Sequence, residues 1–312
     1  MKKTIDTINY NNLPISDYSR RYILRMLPVM QYYESIYDKC LDMVLAGLEK
    51  PLGDVVMVDY GGGHGFLSFQ AKRRGIGQVI YVDFNPKAVQ TVNAISDELG
   101  YGPDVVLCGD SKVLKDWCKK EQEMPDVVMG MDVIEHIYCL DDFFAELHAI
   151  NPMLRMLFTT GSNPYNKRVC RRLRKVMKKD EELFRGIRQD FITKQFPTLT
   201  EKQVDYWAVN TRGLNFDDIY RAVDSEVPNL LNDRYNTCDP STGSWTERIL
   251  EIEAYQDLLN PYMWQLHVEK GFYNESRGGI KGCASRLINR FVDMSWGVNI
   301  APFIILNITA QR

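Results

Sequence analysis

The sequence has no apolar run long enough to cross a membrane. Its longest such run, residues 301–308, is far shorter than the ~20 residues of a spanning helix. No apolar segment follows Lys2 and Lys3, so the start lacks the pattern of an export signal. The seven cysteines are odd in number and form no C-x-x-C pair, which favours reduced thiols. We therefore expect a cytoplasmic protein without a membrane partner.

The sequence also lacks an excess of either charge. Its 38 Lys and Arg against 41 Asp and Glu leave a net charge of −3, which gives the whole protein no attraction to nucleic acid. Eight basic residues nevertheless lie between residues 167 and 179. Apolar residues at helical spacing run through the same stretch, so an amphipathic helix with a solvated basic face accounts for it. Polyanion binding is the alternative.

Short β-branched runs alternate with helical patterns after residue 53. This alternation predicts crossover units and a parallel sheet. We expect an α/β fold with a seven-stranded, mostly parallel Rossmann-like sheet and helices on both faces, together with N-terminal helices and a helical insertion. The predicted strands are residues 55–60, 78–83, 105–108, 126–131, 154–160, 272–274 and 302–308.

Changes of pattern divide the chain into four segments. Residues 1–50 are predicted to be helical, 51–164 to form the ligand-binding core, 165–262 to be an all-helical insertion, and 263–312 to supply the last strands. Thr200 with Gln203 is a possible capping box in the insertion. No internal repeat is present, so we expect one sheet domain with additions. The oligomeric state is not indicated.

A glycine-rich turn follows the first predicted strand, in Asp59-Tyr60-Gly61-Gly62-Gly63-His64-Gly65. Glycine permits positive φ and a close approach of a ligand to the backbone, and the next helix offers free N–H groups. The spacing is not the G-x-G-x-x-G of dinucleotide folds, because Phe66 stands where the third glycine would be, and no Gly-Lys-Ser/Thr of a P-loop is present. An acidic residue beside the turn suits a cationic ligand.

The pattern Asp-x-Gly-x-Gly-x-Gly resembles the first motif of class I S-adenosylmethionine-dependent methyltransferases. The resemblance extends over residues 53–163 and implies that Asp83 accepts hydrogen bonds from the ribose and that Asp110 lies near the adenine amino group. The segment 132–136 is similar to that of quinone-biosynthesis and other small-molecule methyltransferases. The resemblance implies S-adenosylmethionine as cofactor, and the expected cofactor-binding residues are Asp59, Gly61, Gly63, Gly65, Asp83, Phe84, Asp110, Ser111 and Asp132.

His136 is the candidate general base for a hydroxyl acceptor, because imidazole titrates near neutral pH and the segment ends a parallel strand. A histidine that packs against the cofactor is the alternative. Glu135 could serve instead, or could be a helix-terminal charge. His64 could contact the cofactor's carboxylate or only shape the turn. No group of residues has the spacing of a metal site.

Residues 165–262 match no part of the minimal fold, and we expect them to form a lid over the acceptor. The polar turn 239–248, which presents Trp245, is predicted to be a substrate-contacting loop, and Tyr32 and Tyr33 could belong to the lid. The favoured function is methylation of a small molecule or glycan precursor, with oxygen slightly preferred as acceptor. The alternatives are a nucleic-acid methyltransferase and a non-catalytic S-adenosylmethionine-binding protein. A nicotinamide-dependent oxidoreductase is disfavoured by the glycine spacing.

Overall fold

The computed structural model describes residues 4–229, 231 and 233–311, so Lys2 and Lys3 lie outside the described residues. Helices and strands alternate through most of this range. The strands are β1 (Val56–Tyr60), β2 (Gln78–Asp83), β3 (Val105–Cys108), β4 (Val127–Met131), β5 (Arg155–Thr160), β6 (Trp264–Lys270) and β7 (Ile304–Ala310). The α-helices are α1 (Asp17–Met26), α2 (Met30–Leu45), α3 (Phe66–Arg73), α4 (Pro86–Leu99), α5 (Ser111–Glu121), α6 (Leu140–Ile150), α7 (Lys167–Gln195), α8 (Glu201–Asn210), α9 (Phe216–Asp224), α10 (Ile252–Leu259) and α11 (Gly279–Val292).

All seven strands form one sheet in the order β3-β2-β1-β4-β5-β7-β6. The first five strands are parallel, and β7 runs antiparallel to both β5 and β6. Side chains alternate between two buried clusters: Met57 belongs to the cluster with α1 to α4, and Val58 to the cluster with α5, α6 and α10. Because successive strand residues point to opposite faces, helices cover both faces. The predicted fold is confirmed.

The strand predicted at 272–274 is wrong. The sixth strand is β6, which pairs with β7 through Leu266 and Ile308. Its alternation of Trp264, Leu266 and Val268 with polar residues has the period of a half-buried strand, and Trp264 is fully buried. His267 also lies on this strand, where it pairs with Asn307.

Three of the four α-helices within the predicted insertion share a core of their own, whereas α10 packs in a cluster of the sheet. Helices α7, α8 and α9 enclose a buried cluster that includes Ile192, Trp207 and Ile219, and the capping box of Thr200 and Gln203 is present at α8. The expectation of an all-helical segment is wrong for the described residues between 225 and 251, where an antiparallel bridge joins Cys238 to Trp245. Hydrogen bonds to side chains favour turns there, such as the one that Ser241 N donates to Asp239 Oδ1.

Across the part of the chain that the structure describes, no helix combines the length and apolarity needed to span a bilayer.

Candidate functional site

A cleft opens at the carboxyl ends of β1, β2 and β4, where the strand order reverses. This is where open α/β sheets bind their ligands. The cleft consists of two adjoining cavities of about 440 and 380 Å³, a size typical of small-molecule sites. The first, which we call the Asp110 cavity, extends over Gly109 to Lys112. The second, which we call the tyrosine cavity, extends over Tyr18, Tyr22 and Tyr37. Both are lined by Gly61, Asp83, Phe84 and His136.

The glycine turn between β1 and α3 is tightly packed at Gly61 and open at Gly63. Gly61 has φ +65°, and a Cβ there would lie 2.3 Å from Val133 Cγ2. Gly63 has φ +54°, but a Cβ there would meet no atom within 4 Å. Gly63 therefore presents bare backbone to the tyrosine cavity. Gly65, also at positive φ, is the N-cap of α3.

Asp83 ends β2 at the junction of the two cavities. Its Oδ2 accepts a hydrogen bond from Gly63 N at 2.9 Å, and its Oδ1 accepts one from Asn85 N at 2.8 Å. Each carboxylate oxygen retains capacity for a second donor. Burial raises the pKa of Asp83, while the two backbone hydrogen bonds lower it. Phe84, next in the chain, is 63% exposed and lines both cavities.

Asp59 is buried beneath the glycine turn at the wall of the tyrosine cavity. Its Oδ2 accepts hydrogen bonds from Ser68 N at 3.0 Å and Ser68 Oγ at 2.6 Å. Burial raises its pKa to about 7, against the opposing effect of these hydrogen bonds. Its hydrogen bonds hold α3 against the end of β1.

Asp110 and Ser111 lie on the wall of the Asp110 cavity. Asp110 Oδ1 caps α5 by accepting from Lys112 N at 3.1 Å and Val113 N at 3.2 Å. Ser111 Oγ donates to the carboxylate of Glu146 on α6. Glu146 also lines this cavity, and sequence reasoning missed it because its contact with Ser111 spans 35 residues of chain.

His136 lies in a 3-10 turn, Ile134–His136, after β4. Its Nδ1 is 2.7 Å from the carbonyl oxygen of Trp245. Because a carbonyl oxygen only accepts, Nδ1 carries the proton, and in the neutral ring Nε2 is left as an acceptor. Trp245 N–H in turn donates to the carbonyl of His136 at 3.2 Å.

Trp245 is 4% exposed and lies outside the lining of the cleft. Its ring is buried, with Nε1 donating to Tyr138 O at 3.0 Å. Thr242 and Ser244 of the same turn do line the Asp110 cavity. The turn therefore positions His136 through backbone hydrogen bonds and reaches the cleft through small polar side chains.

The sheet order, with β7 antiparallel beside β5, and the glycine turn after β1 agree with the resemblance drawn from the sequence. The chain has the class I methyltransferase fold. Solved structures of methyltransferases are similar to it. An S-adenosylmethionine-dependent methyltransferase from Mesorhizobium loti shares 13% identity over 88% of this chain and 100% of that chain, with a TM-score of 0.44. The plantazolicin methyltransferase BpumL in complex with SAH shares 12% identity over 95% of this chain and 92% of that chain, with a TM-score of 0.43.

A third such structure, from Agrobacterium tumefaciens, shares 16% identity over 41% of this chain and 44% of that chain, with a TM-score of 0.32. This chain therefore matches less than half the length of that protein. No protein-family model matches the sequence, and no curated protein does. At these identities the likeness concerns the fold alone.

Within this methyltransferase fold, Asp132 and Glu135 join the ends of β4 and β5. Gly161 N donates to Asp132 Oδ1 at 2.9 Å and to Glu135 Oε1 at 3.2 Å. Asp132 has φ +56° and lines the tyrosine cavity. Glu135 is 1% exposed, lines neither cavity, and its Oε2 has no hydrogen-bond partner among the described residues. Burial, with the charge of Asp132, raises its pKa well above the usual range. The structure thus separates Glu135 from the cleft.

The methyltransferase sheet receives one wall of its cleft from α1 and α2. Tyr22 stacks on His64 with ring centroids 4.8 Å apart and planes at 17°. Burial lowers the pKa of His64 to about 4, so the ring is neutral at pH 7 and is not a cation for a carboxylate. Sequence reasoning missed Tyr18, Tyr22 and Tyr37, since only packing brings these helices to the glycine turn. Tyr32 and Tyr33 lie outside the cleft lining.

Proposed function

We propose that this protein is a methyltransferase that uses S-adenosylmethionine to methylate a hydroxyl group of a small molecule or glycan precursor. The observation that carries the proposal is the position of His136 and the hydrogen bond that holds its ring. Its Nε2 is an acceptor, its ring is held by the Trp245 carbonyl, and it stands where the two cavities of the cleft meet. An imidazole that is held in place at that point and can accept at Nε2 is suited to remove a proton from an acceptor hydroxyl.

The residues of the cleft fit the proposed cofactor in shape and charge. When bound, S-adenosylmethionine supplies a methyl group on a positively charged sulfur. The tyrosine cavity is lined by the carboxyl groups of Asp59, Asp83 and Asp132 and, among the described residues, by no Lys or Arg, which suits a cationic ligand. Asp83 would accept from the ribose, and Gly63 leaves room for close approach.

The acceptor would lie against the tyrosine wall. Tyr18 and Tyr22 are 62% and 37% exposed, so their rings offer apolar surface with a polar tip. Positioning of the acceptor hydroxyl in a water-poor pocket is the main requirement of such a displacement. The eight basic residues between 167 and 179 line neither cavity, so they offer no basic track for nucleic acid at the acceptor site.

Titration calorimetry with S-adenosylmethionine and S-adenosylhomocysteine tests the cofactor site. We expect micromolar affinity that is lost in Asp83→Ala and falls at least about tenfold in Gly63→Ala, because the new methyl group enters the cavity. Gly100→Ala is a matched control: Gly100 has φ +73° and, like Gly63, would place an added Cβ with no atom within 4 Å, but it lies outside the cleft. Equal losses in both glycine variants would contradict the assignment.

The role of His136 is tested by His136→Asn, whose amide N–H can still donate to the Trp245 carbonyl while the Nε2 acceptor is removed. Candidate hydroxyl compounds are screened by release of S-adenosylhomocysteine. We expect the variant to keep its affinity for S-adenosylmethionine and to lose about 10²- to 10⁴-fold in turnover. Unchanged turnover would show that another group takes the proton. A folded protein that does not bind S-adenosylmethionine would overturn the proposed function.

A further inference from the structure

Helix α11 turns an apolar stripe towards solvent. Ile280, Leu287 and Phe291 are 89%, 56% and 45% exposed, and their spacing places them on one helical face. Trp296, just beyond the helix, is 46% exposed. An isolated exposed apolar residue needs no explanation, but a contiguous stripe indicates an interaction surface.

The same helix is basic. Helix α11 contains no Asp or Glu, and its Lys281, Arg286 and Arg290 are all exposed. None of the three pairs with a carboxylate within the described ranges. Uncompensated positive charge therefore flanks the apolar stripe.

A groove of about 690 Å³ connects this stripe to the start of α7. Lys167 and Arg168 form one side of the groove, and Ile288, Phe291 and Trp296 form the other. Lys167 also lines an adjoining concavity of about 620 Å³ whose other basic lining residues are Arg171, Arg174, Lys175 and Lys178. The apolar stripe of α11 and the basic face of α7 thus form one surface, which we call the α7–α11 surface.

The basic face of α7 is exposed to solvent, and one of its residues, Arg172, acts electrostatically on Glu247. All eight of its Lys and Arg residues between 167 and 179 are exposed. In the regions of the chain that the structure covers, none of them forms an ion pair with a carboxylate. Arg174 instead stacks over Tyr235 at 4.3 Å. The local charge is strongly positive although the whole chain carries −3.

We propose that the α7–α11 surface docks on an anionic lipid bilayer. Exposed Leu, Phe and Trp side chains can enter the boundary between headgroups and acyl chains, while Lys and Arg attract anionic headgroups. Nucleic acid would match the basic face of α7 but leaves the aliphatic stripe of α11 without a role. This surface revises the expectation of no membrane partner, which rested on total charge and on the lack of a spanning segment. It is independent of the proposed methyl transfer.

Sedimentation of the full chain with vesicles tests the proposal. We expect binding to vesicles of equal parts phosphatidylcholine and phosphatidylglycerol, none to phosphatidylcholine alone, and weakening by salt. Leu287→Ser with Phe291→Ser, and separately Arg171→Glu with Lys175→Glu, should each weaken binding at least about tenfold. The controls are Met124→Ser with Met153→Ser, at residues that are 60% and 62% exposed outside α7 and α11, and Lys119→Glu with Lys120→Glu on α5. They should bind as the wild type does.

Four results would overturn the proposal. The first is failure of the folded protein, checked by circular dichroism, to bind the anionic vesicles. The second is undiminished vesicle binding by the Leu287 and Phe291 variant. The third is a wild-type dimer in solution, seen by light scattering, that the same variant dissociates. The fourth is displacement of the protein from vesicles by a single-stranded RNA oligonucleotide that it binds more tightly. Because vesicle binding requires no S-adenosylmethionine, these outcomes are distinct from failure of the proposed enzyme function.

Discussion

Two titratable side chains at the glycine turn, the buried Asp59 and the half-buried His64, have opposite effects on stability as pH changes. The raised pKa of Asp59, about 7, means that the folded protein holds a proton that the unfolded chain releases, so its contribution falls as pH rises from about 4 to 7. The lowered pKa of His64, about 4, means that the unfolded chain binds the extra proton. Its contribution is therefore lost as pH falls from about 6.5 to 4.

Replacement of His64 by Phe should remove the pH dependence of stability that His64 contributes and leave that of Asp59. Stacking on Tyr22 is retained, so the variant should gain stability relative to the wild type as pH falls from about 6.5 to 4, by at most about 3 kcal/mol. Urea unfolding at several pH values measures this difference directly. Parallel curves of unfolding free energy for the two proteins would mean that His64 titrates in the folded state as it does in the unfolded chain.

At the scale of elements, the start of α7 is held by one buried side chain. Asn166 Oδ1 caps the helix by accepting from Arg168 N at 3.0 Å and Val169 N at 3.2 Å, and Nδ2 donates to the carbonyl of Ala301 at 2.9 Å. The residue is 4% exposed. It therefore ties the first helix of the insertion to the loop that precedes β7.

Asn166→Ala should lower the unfolding free energy by about 2–3 kcal/mol, since it removes the cap and the tie to Ala301 and leaves the N–H of buried Val169 without its partner. Asn215→Ala is the matched control, because Asn215 caps α9 by accepting from Asp218 N at 2.9 Å but is only part-buried. It should cost about 1 kcal/mol. Chemical unfolding of both variants compares them, and an equal cost would show that the tie to Ala301 adds nothing.

For the whole molecule, the core of the insertion is separate from the cores of the sheet. Ile219 is fully buried in the cluster of α7, α8 and α9, whereas Ile80 is fully buried under the central strands. Tyr138 joins the two regions by donating to Asp218 Oδ2 at 2.5 Å. Separate clusters permit local opening of one part while the other stays folded.

Ile219→Ala should therefore cost about 2–4 kcal/mol and raise hydrogen exchange mainly in α7 to α9. Ile80→Ala should raise exchange throughout the sheet. Hydrogen–deuterium exchange with mass spectrometry separates the two patterns. If Ile219→Ala raised exchange in β1 and β4 to the same extent, the insertion and the sheet would unfold as one unit.

Local sequence was sufficient for most of the sheet and for the carboxyl edge of the cleft. β-Branched runs specify strands, positive φ requires glycine at the turn, and the ends of parallel strands meet at one edge. Gly63, Asp83 and Asp110 could therefore be placed at one edge of the sheet by local patterns alone. The missed strand β6 also had a local signal, the alternation that begins at Trp264.

Packing between distant segments decided the rest. The tautomer of His136 is set by its hydrogen bond to the carbonyl of Trp245, 109 residues away. The tyrosine wall reaches the glycine turn only when α1 and α2 pack on the sheet. Glu135 lies in the turn shortly after β4 and has the sequence position of a candidate general base, yet it is buried and lines neither cavity of the cleft. Local patterns specify backbone conformation, but burial and side-chain partners depend on contacts among residues far apart in the chain.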